Sequence, residues 1–270
     1  MFGSSFGYNC RMSWAARRRA IYVTGILLFF GVVIGVPLAL YLHQPPSCTD
    51  GRQNQGETDV DKGGPCLLLD ERYLNPESVL WSRSFLVRGG NYSSVAYIEN
   101  PNKSAGVRTV SYRFGLYDSN NVLVAERMGK TFIMPGGVTP VFEGAIDTGN
   151  RAVAHTYFEF TAPLIWVRMT NTAGVLSINN KTVGSTDSSP RLSATVANTS
   201  VAPVLNPAFV AVLSDAAGNA FAASATKLAR LSPGAQEQLI FTWPDPFASA
   251  VGRIDIIALM PPALAAPVGY

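Results

Sequence analysis

The sequence predicts a mainly β protein in which one N-terminal transmembrane helix precedes two tandem β-sandwiches. Three observations support this fold class. Residues 20–42 contain no charged side chain, apolar and polar residues alternate over many short segments after residue 80, and a set of turn residues recurs about one hundred positions later. The helix assigns every other segment to one side of a membrane or the other.

Residues 20–42 have the length and composition of a membrane-spanning helix. At about 1.5 Å per residue this range makes a helix of about 35 Å, and a hydrocarbon core is about 30 Å thick. A cleaved signal peptide is the alternative, but its apolar part would be shorter, and no small-x-small cleavage pattern lies near residues 41–47. We therefore expect an uncleaved anchor in the lipid bilayer.

The charges beside the helix predict its orientation. Residues 1–19 contain four arginines and no acid, whereas acids outnumber bases between the helix and Arg72. The positive-inside rule then keeps residues 1–19 in the cytoplasm and places the bulk of the chain outside the cell membrane. Gly31 and Gly35 form a small-xxx-small pair that would permit helix–helix contact and self-association, although glycine is also common in membrane helices.

The net charge excludes one class of partner. Outside the predicted cytoplasmic tail, the chain has 17 basic and 18 acidic side chains. A nearly neutral exported part lacks the basic surface that binds phosphate backbones, so we expect no nucleic-acid partner.

Residues 43–72 read as an acidic stalk clamped by cysteines. Cys48 and Cys66 are the two exported cysteines, and export permits a disulfide between them. Between them lie five oxygen-bearing side chains of the kind that a hard cation such as calcium prefers, namely Asp50, Asn54, Glu57, Asp59 and Asp61. The alternative is a solvated, flexible stalk without an ion.

The same segment resembles a known surface module. Its pattern C-x-D-G-x-x-N-x-x-E-x-x-x-D-C-G-G-x-C is similar to a small cysteine-clamped, calcium-type module of surface proteins, often found beside adhesion or wall-linked domains. Lys62 stands where that pattern has a further cysteine. The resemblance therefore implies a calcium-type loop with one disulfide fewer.

Alternation of apolar and polar residues predicts that the exported part is all β. In residues 110–117, Val, Tyr, Phe and Leu alternate with Ser, Arg, Gly and Tyr, which is the period of a half-buried strand. Further strands are expected at 94–99, 122–126, 130–134, 138–145 and 154–160.

A repeat of turn residues predicts two copies of one domain. The recurring pairs are separated by 97 or 98 positions and comprise Asn100 and Asn198, Asp118 and Asp215, and Pro135 and Pro233. About seven short strands per hundred residues are typical of immunoglobulin-like sandwiches. We predict one sandwich at 73–168, a second at 169–260, and a disordered tail at 261–270.

Both copies resemble a known family. The segments S-Y-R-F-G-L-Y-D-S-N-N and V-A-V-L-S-D-A-A-G-N, each followed by a Pro-Gly turn, are similar to FxLYD and late-embryogenesis-type immunoglobulin-like domains. With the anchor and the cysteine-clamped module, the chain resembles uncharacterised single-pass envelope proteins of candidate-phyla (Patescibacteria) bacteria. This resemblance implies localisation and architecture but no catalytic residue.

Catalytic residues are sparse in the sequence. The histidines are His43 beside the membrane helix and His155 on a predicted strand, where it shares the solvent face with Tyr157 and Glu159. No nucleophile elbow, zinc-protease, P-loop or dinucleotide motif occurs. We therefore expect a protein that is not an enzyme.

Residues 243–247, Trp-Pro-Asp-Pro-Phe, form an unusual corner. We interpret Trp243, Pro244 and Phe247 as a candidate contact surface, and a rigid turn that closes the second sandwich is the alternative.

These observations favour a membrane-anchored scaffold or accessory subunit of a cell-envelope assembly that acts through contacts with unidentified envelope proteins. A calcium-dependent surface adhesin is the first alternative, and a cell-wall hydrolase is the second.

Overall fold

The computed structural model describes residues 13–42, 47–261 and 263–264. The chain divides into two compact units, one ending at Ser47 and the other beginning at Cys48. The first unit contains one helix, α1 (Trp14–Leu42). The second unit contains the strands. The predicted behaviour of residues 1–12 and of His43 lies outside the described residues.

Helix α1 begins earlier than the sequence predicts. It already includes the three arginines at 17–19, and the guanidinium of Arg18 lies 4.2 Å from the centre of the Trp14 ring. The part from Trp14 to Leu40 is long and apolar enough to cross a membrane, a criterion that a signal sequence near the N-terminus also meets. Pro37 lies inside the helix.

The first sandwich consists of two antiparallel sheets. One has the order β1-β2-β5, and in the other β3 pairs with β4 on one side and with β6 and β7 on the other. The strands are β1 (Ser78–Arg88), β2 (Asn91–Asn100), β3 (Ala105–Tyr117), β4 (Leu123–Ile133), β5 (Gly137–Asp147), β6 (His155–Phe160) and β7 (Trp166–Thr170).

The second sandwich repeats this arrangement. Its sheets have the orders β14-β9-β8 and β12-β11-β15, with a short pair formed by β10 and β13. The strands are β8 (Leu176–Gly184), β9 (Arg191–Asn198), β10 (Val204–Leu205), β11 (Ala208–Ser214), β12 (Ala220–Lys227), β13 (Arg230–Leu231), β14 (Gln236–Thr242) and β15 (Arg253–Leu259). A further short strand, β16 (Ala263–Leu264), pairs with β7 and so belongs to the first sandwich.

Every second side chain of the central strands points into a core, as the sequence predicts. Val110, Tyr112, Phe114 and Leu116 point from β3 into the first core, where Phe114 and Leu116 are completely buried. The second core is filled in the same manner from β9, β11 and β14. The mainly β fold with an N-terminal apolar helix is confirmed.

The two sandwiches pack against each other through one sheet each. Side chains on the outer face of β1 and β2, including Phe85, Val95 and Tyr97, meet Val210 and Val212 on the outer face of β11 in a third apolar cluster. Strands β2 and β11 are consequently buried on both faces. The result is a stack of four sheets.

Two expectations are corrected by the strands. The segments predicted at 122–126 and 130–134 are one continuous strand, β4, because residues 127–129 stay paired with β3. The chain was predicted to have no fixed structure past Met260, but β16 pairs Ala263 with Thr170 and Leu264 with Met169. Residue 262 and residues 265–270 lie outside the described part of the chain.

Candidate functional site

The cysteine loop, residues 48–66, is closed by the predicted disulfide. Cys48 and Cys66 are bonded, with their Cα atoms 5.5 Å apart. Gly64 permits the tight return of the chain, because it has a positive φ of 50° and an added Cβ would lie 2.7 Å from the carbonyl oxygen of Gly56. The loop therefore has a fixed fold built around the disulfide.

Glu57 lies at the centre of this loop and is buried. Its Oε2 accepts hydrogen bonds from the backbone N–H groups of Asn54 at 3.1 Å and Asp61 at 3.3 Å. Its Oε1 lies 3.0 Å from Sγ of Cys66. Since that sulfur is bonded to Cys48, it has no proton to donate, and neither cysteine is free to ligate a metal. Within the described part of the chain, one oxygen of this buried carboxylate thus has no conventional donor.

Hydrogen bonds connect three further predicted ligands to the network around Glu57. The Nδ2 of Asn54 donates to Oδ2 of Asp50 at 2.9 Å, and the N–H of Gly51 donates to the Asp61 carboxylate at 3.2 Å. The Oδ1 of Asn54 is buried without a hydrogen-bond partner among the described residues. Buried polar atoms are normally satisfied, so this oxygen is a candidate ligand for a hard cation. Among the described residues, however, the group of acidic or sulfur ligand atoms that lie within 4.8 Å of one another consists of Cys48, Glu57 and Cys66, and not of the three carboxylates.

Asp59 does not join this group. Its Oδ2 forms an ion pair with Nη2 of Arg72 at 3.3 Å, and its Oδ1 accepts from the N–H of Val60 at 2.8 Å. Of the five predicted ligands, four therefore belong to one hydrogen-bonded network, and Asp59 is paired with a guanidinium instead.

The cysteine loop is docked on the first sandwich rather than free in solvent. The N–H of Leu69 donates to the carbonyl of Trp166 at 2.9 Å, and the N–H of Arg168 donates to the carbonyl of Leu67 at 2.7 Å. Residues 67–69 therefore lie beside β7 and extend its sheet. The guanidinium of Arg168 also donates to the carbonyl of Gly64 at 2.7 Å. The flexible-stalk alternative is therefore wrong for residues 48–72.

A short turn follows the docked segment. Asp70 is buried, caps the 3-10 turn Glu71–Tyr73, and pairs with Arg72 at 2.6 Å. Hydrogen bonding from the Arg72 guanidinium lowers the pKa of Asp70 from 3.8 to about 2. Arg72 thus joins Asp70 to Asp59 and links the turn to the cysteine loop. This role of Arg72 is not visible in the sequence, because the ion pair with Asp59 depends on a contact that only the folded loop makes.

The Trp243 corner, residues 243–247, is largely an internal contact. Trp243 is buried, and its Nε1 donates to the carbonyl of Ala223 at 3.1 Å, while the Phe247 ring packs on it with ring centres 5.1 Å apart. Arg88 of the first sandwich donates to the carbonyl of Pro244 at 2.6 Å and pairs with Asp245. The corner therefore closes the second sandwich and fastens it to the first, as the rigid-turn alternative holds.

An apolar cleft opens where the corner meets the first sandwich. This junction groove has a volume of about 340 Å³ and is lined by residues of both sandwiches, chiefly Phe85, Leu86, Phe221, Trp243, Pro246 and Phe247. Leu86 is 62% exposed on its edge. The ion pair between Arg88 and Asp245 lies beside it.

The remaining predicted residues are not among those described for the cysteine loop or the junction groove. Gly31 and Gly35 lie one turn apart on α1, and among the described residues no atom outside the neighbouring helix backbone lies within 4 Å of the position that a Cβ would take at either glycine. His155, Tyr157 and Glu159 are exposed on β6, as the alternation predicts. Among the described residues, His155 makes no hydrogen bond to an acid or a nucleophile.

Comparison with known proteins gives little similarity. No family model matches the chain, and no curated protein is significantly similar to it in sequence. Among solved structures, red sea bream transglutaminase matches with 10% identity over 69% of this chain and 30% of that chain, at a TM-score of 0.24. The chain thus spans under a third of the length of that protein, and a likeness at this level carries no argument about activity.

Proposed function

We propose that this protein is a membrane-anchored scaffold or accessory subunit of a cell-envelope assembly that acts through protein–protein contacts. In this proposal α1 is an uncleaved anchor with its N-terminus in the cytoplasm, and the two sandwiches lie outside the membrane. The arginines at 17–19 and the apolar length of α1 support the topology.

The observation that carries the proposal is the junction groove. Both sandwiches contribute side chains to it, and the four-sheet stack holds those side chains at a fixed spacing. Protein interfaces commonly have an apolar centre with a charged rim, which describes Phe85, Leu86 and Phe247 beside the Arg88–Asp245 pair. The occupant we propose is an apolar side chain of an envelope protein, presented with flanking polar residues.

Site-specific photo-crosslinking in intact cells tests this proposal. A photoreactive amino acid at Leu86 should give one defined adduct, and the same probe at Val201, which is 98% exposed, should not give it. The adduct partner, identified by mass spectrometry and purified, should bind the wild-type chain in nanodiscs and bind Leu86→Arg at least about tenfold more weakly. An adduct with a second copy of this chain would assign the groove to self-association instead. Equal labelling from both positions would overturn the proposal.

The topology has a separate test. Protease added to whole cells should remove the part after residue 47, and carbonate washing should leave the chain in the membrane fraction. Protection from protease, or release by carbonate, would overturn the anchor.

A calcium-dependent adhesin is a second candidate, supported by the Oδ1 of Asn54, which is buried without a partner among the described residues in a network that includes Glu57, Asp50 and Asp61. In that case calcium would raise the unfolding temperature of the wild-type chain and slow cleavage of the cysteine loop. Asp61→Asn should reduce both effects, and Asp187→Asn, at an exposed position outside the loop, should reduce neither. If chelation changes neither loop cleavage nor cell attachment, this candidate is wrong.

A further inference from the structure

A second groove lies on the outer face of the first sandwich, on the side away from the junction. It has a volume of about 510 Å³ and is lined by Arg113, Gly115, Tyr117, Asn121, Tyr157, Phe158 and Glu159. We call it the Gly115 groove. It shares no lining residue with the junction groove or the cysteine loop.

Strand register explains why a groove forms at this place. Gly115 of β3 is paired with Glu126 of β4 on one side and with Tyr157 of β6 on the other. A residue without a side chain therefore stands between two neighbours that have long ones. The missing side chain leaves space over Gly115, and the Tyr117 ring occupies this space and forms the floor of the groove.

The floor and one wall of this groove are aromatic. The Tyr117 ring lies over Gly115, so closely that an added Cβ would be 2.8 Å from its Cε2 atom. The Tyr157 ring meets Tyr117 nearly at a right angle, with ring centres 5.3 Å apart, and is 61% exposed. At this angle a ligand in the groove would meet the face of one tyrosine ring and the edge of the other.

The polar groups around the rings are held in position. Arg113 donates through Nε to Oε1 of Glu159 at 2.8 Å and through Nη1 to Oε2 of Glu126 at 3.0 Å. The second oxygen of each carboxylate makes no hydrogen bond among the described residues. These oxygens can accept hydrogen bonds from hydroxyl groups without any loss of the ion pairs.

This combination differs from that of the junction groove. Apart from Gly115 and Phe158, every lining side chain of the Gly115 groove carries a polar group. One guanidinium faces two carboxylates, so no positive charge is left over for an acidic ligand. Pyranose rings present apolar C–H faces to aromatic rings and hydroxyl groups around their edges, and they need no net charge at the site.

We propose that the Gly115 groove binds a neutral saccharide chain. Tyr117 and Tyr157 pack on sugar rings, and Glu159, fixed by Arg113, accepts hydrogen bonds from the sugar hydroxyls. Glu126 does not line the groove and holds Arg113 from the other side. The groove thereby gives the protein a contact with surface polysaccharide that is separate from its contact with protein.

Calorimetric titration of the full chain in lipid nanodiscs tests this inference with cellohexaose, chitohexaose and mannohexaose as neutral probes. At least one of them should bind. Tyr157→Ala should weaken that binding about tenfold or more, while Tyr157→Phe, which keeps the ring, should stay within about threefold of wild type. Gly115→Ala should also weaken binding, because the methyl group displaces the Tyr117 ring. Tyr73→Ala, at a tyrosine 72% exposed elsewhere, is the matched control and should change nothing.

Three outcomes would overturn the inference. They are no binding of any neutral probe at millimolar concentration, tighter binding of hexagalacturonate than of every neutral probe, and unchanged affinity in both Tyr157→Ala and Gly115→Ala. Because Tyr157 is mainly exposed, its alanine variant is expected to fold, and an unchanged unfolding temperature would verify this. None of these outcomes bears on the photo-crosslinking result at Leu86.

Discussion

Asn100 and Asn198 occupy equivalent positions 98 residues apart and make the same hydrogen bonds in their respective sandwiches. The Nδ2 of Asn100 donates to the carbonyls of Ala105 and Met134 at 2.7 and 2.8 Å, and that of Asn198 donates to two carbonyls at 2.8 and 3.0 Å. In each case Oδ1 accepts from the N–H two residues later. One buried amide thus joins a strand end to a turn and to a second strand.

Replacing this amide should destabilise the protein. Asn100→Ala leaves two buried carbonyls without donors, so we expect the free energy of unfolding to fall by about 2–4 kcal/mol in urea titrations. Asn179→Ala, at an exposed strand position, is the control and should cost less than about 0.5 kcal/mol. A loss at Asn100 no larger than that of the control would contradict the role assigned to the amide.

The apolar junction predicts that the two sandwiches unfold together. Val212 is 1% exposed and belongs to the cluster that joins them. Val212→Asp places an unpaired carboxylate in this buried cluster, so the two sandwiches should separate. Calorimetry should then show two unfolding transitions in place of one. Val201→Asp, at a valine 98% exposed, should keep a single transition. Two transitions already in the wild type would show that the junction is weak.

The Asp70–Arg72 pair predicts a defined loss of stability in acid. The pKa of Asp70 is about 2 in the fold, below its ordinary 3.8, so the ionised group stabilises the fold above about pH 4, and this contribution disappears as the pH falls towards 2. The difference in unfolding free energy between wild type and Asp70→Asn should therefore be largest near neutral pH and shrink in acid. Asn179→Ala, at an exposed position with no titrating group, should show no such trend. A difference independent of pH would argue against the pair.

The disulfide should protect the cysteine loop from proteolysis. Replacing Cys48 and Cys66 by serine opens the loop, and the chain-entropy model gives a loss of about 3 kcal/mol in the free energy of unfolding. Trypsin should then cut at Arg52 or Lys62. Reducing agent should have the same effect on the wild type and no further effect on the double variant. If the double variant resists trypsin as the wild type does, the docking of residues 67–69 alone holds the loop.

Much of the fold followed from local patterns, because a two-residue period and a repeated set of turns are visible in a single sequence. Val110, Phe114 and Leu116 point inward as expected. The junction was missed because Val210 and Val212 look like ordinary strand residues, and only the neighbouring sandwich decides that the outer face of β11 is covered. The sequence A-F-V-A-V-L-S, apolar on both faces, was the available signal.

The candidate sites were harder to predict because they depend on long-range contacts. Oxygen-bearing residues at 50–61 were found by type, but Asp59 turns away because Arg72 reaches it. The docking of the loop depends on Arg168, about one hundred positions later, and Trp243 is buried because Ala223 offers its carbonyl. The Gly115 groove arises from register between β3, β4 and β6, which no single segment reveals.

Burial of β2 and β11 on both faces has a consequence for how this protein can evolve. A residue in either strand must suit two neighbours at once, so these strands have the least freedom to drift in sequence. Substitutions that create new binding partners are therefore expected on the two outermost sheets, at the strand edges and at the junction between the two sandwiches. Relatives should therefore be recognised by their middle layers and distinguished by their exteriors.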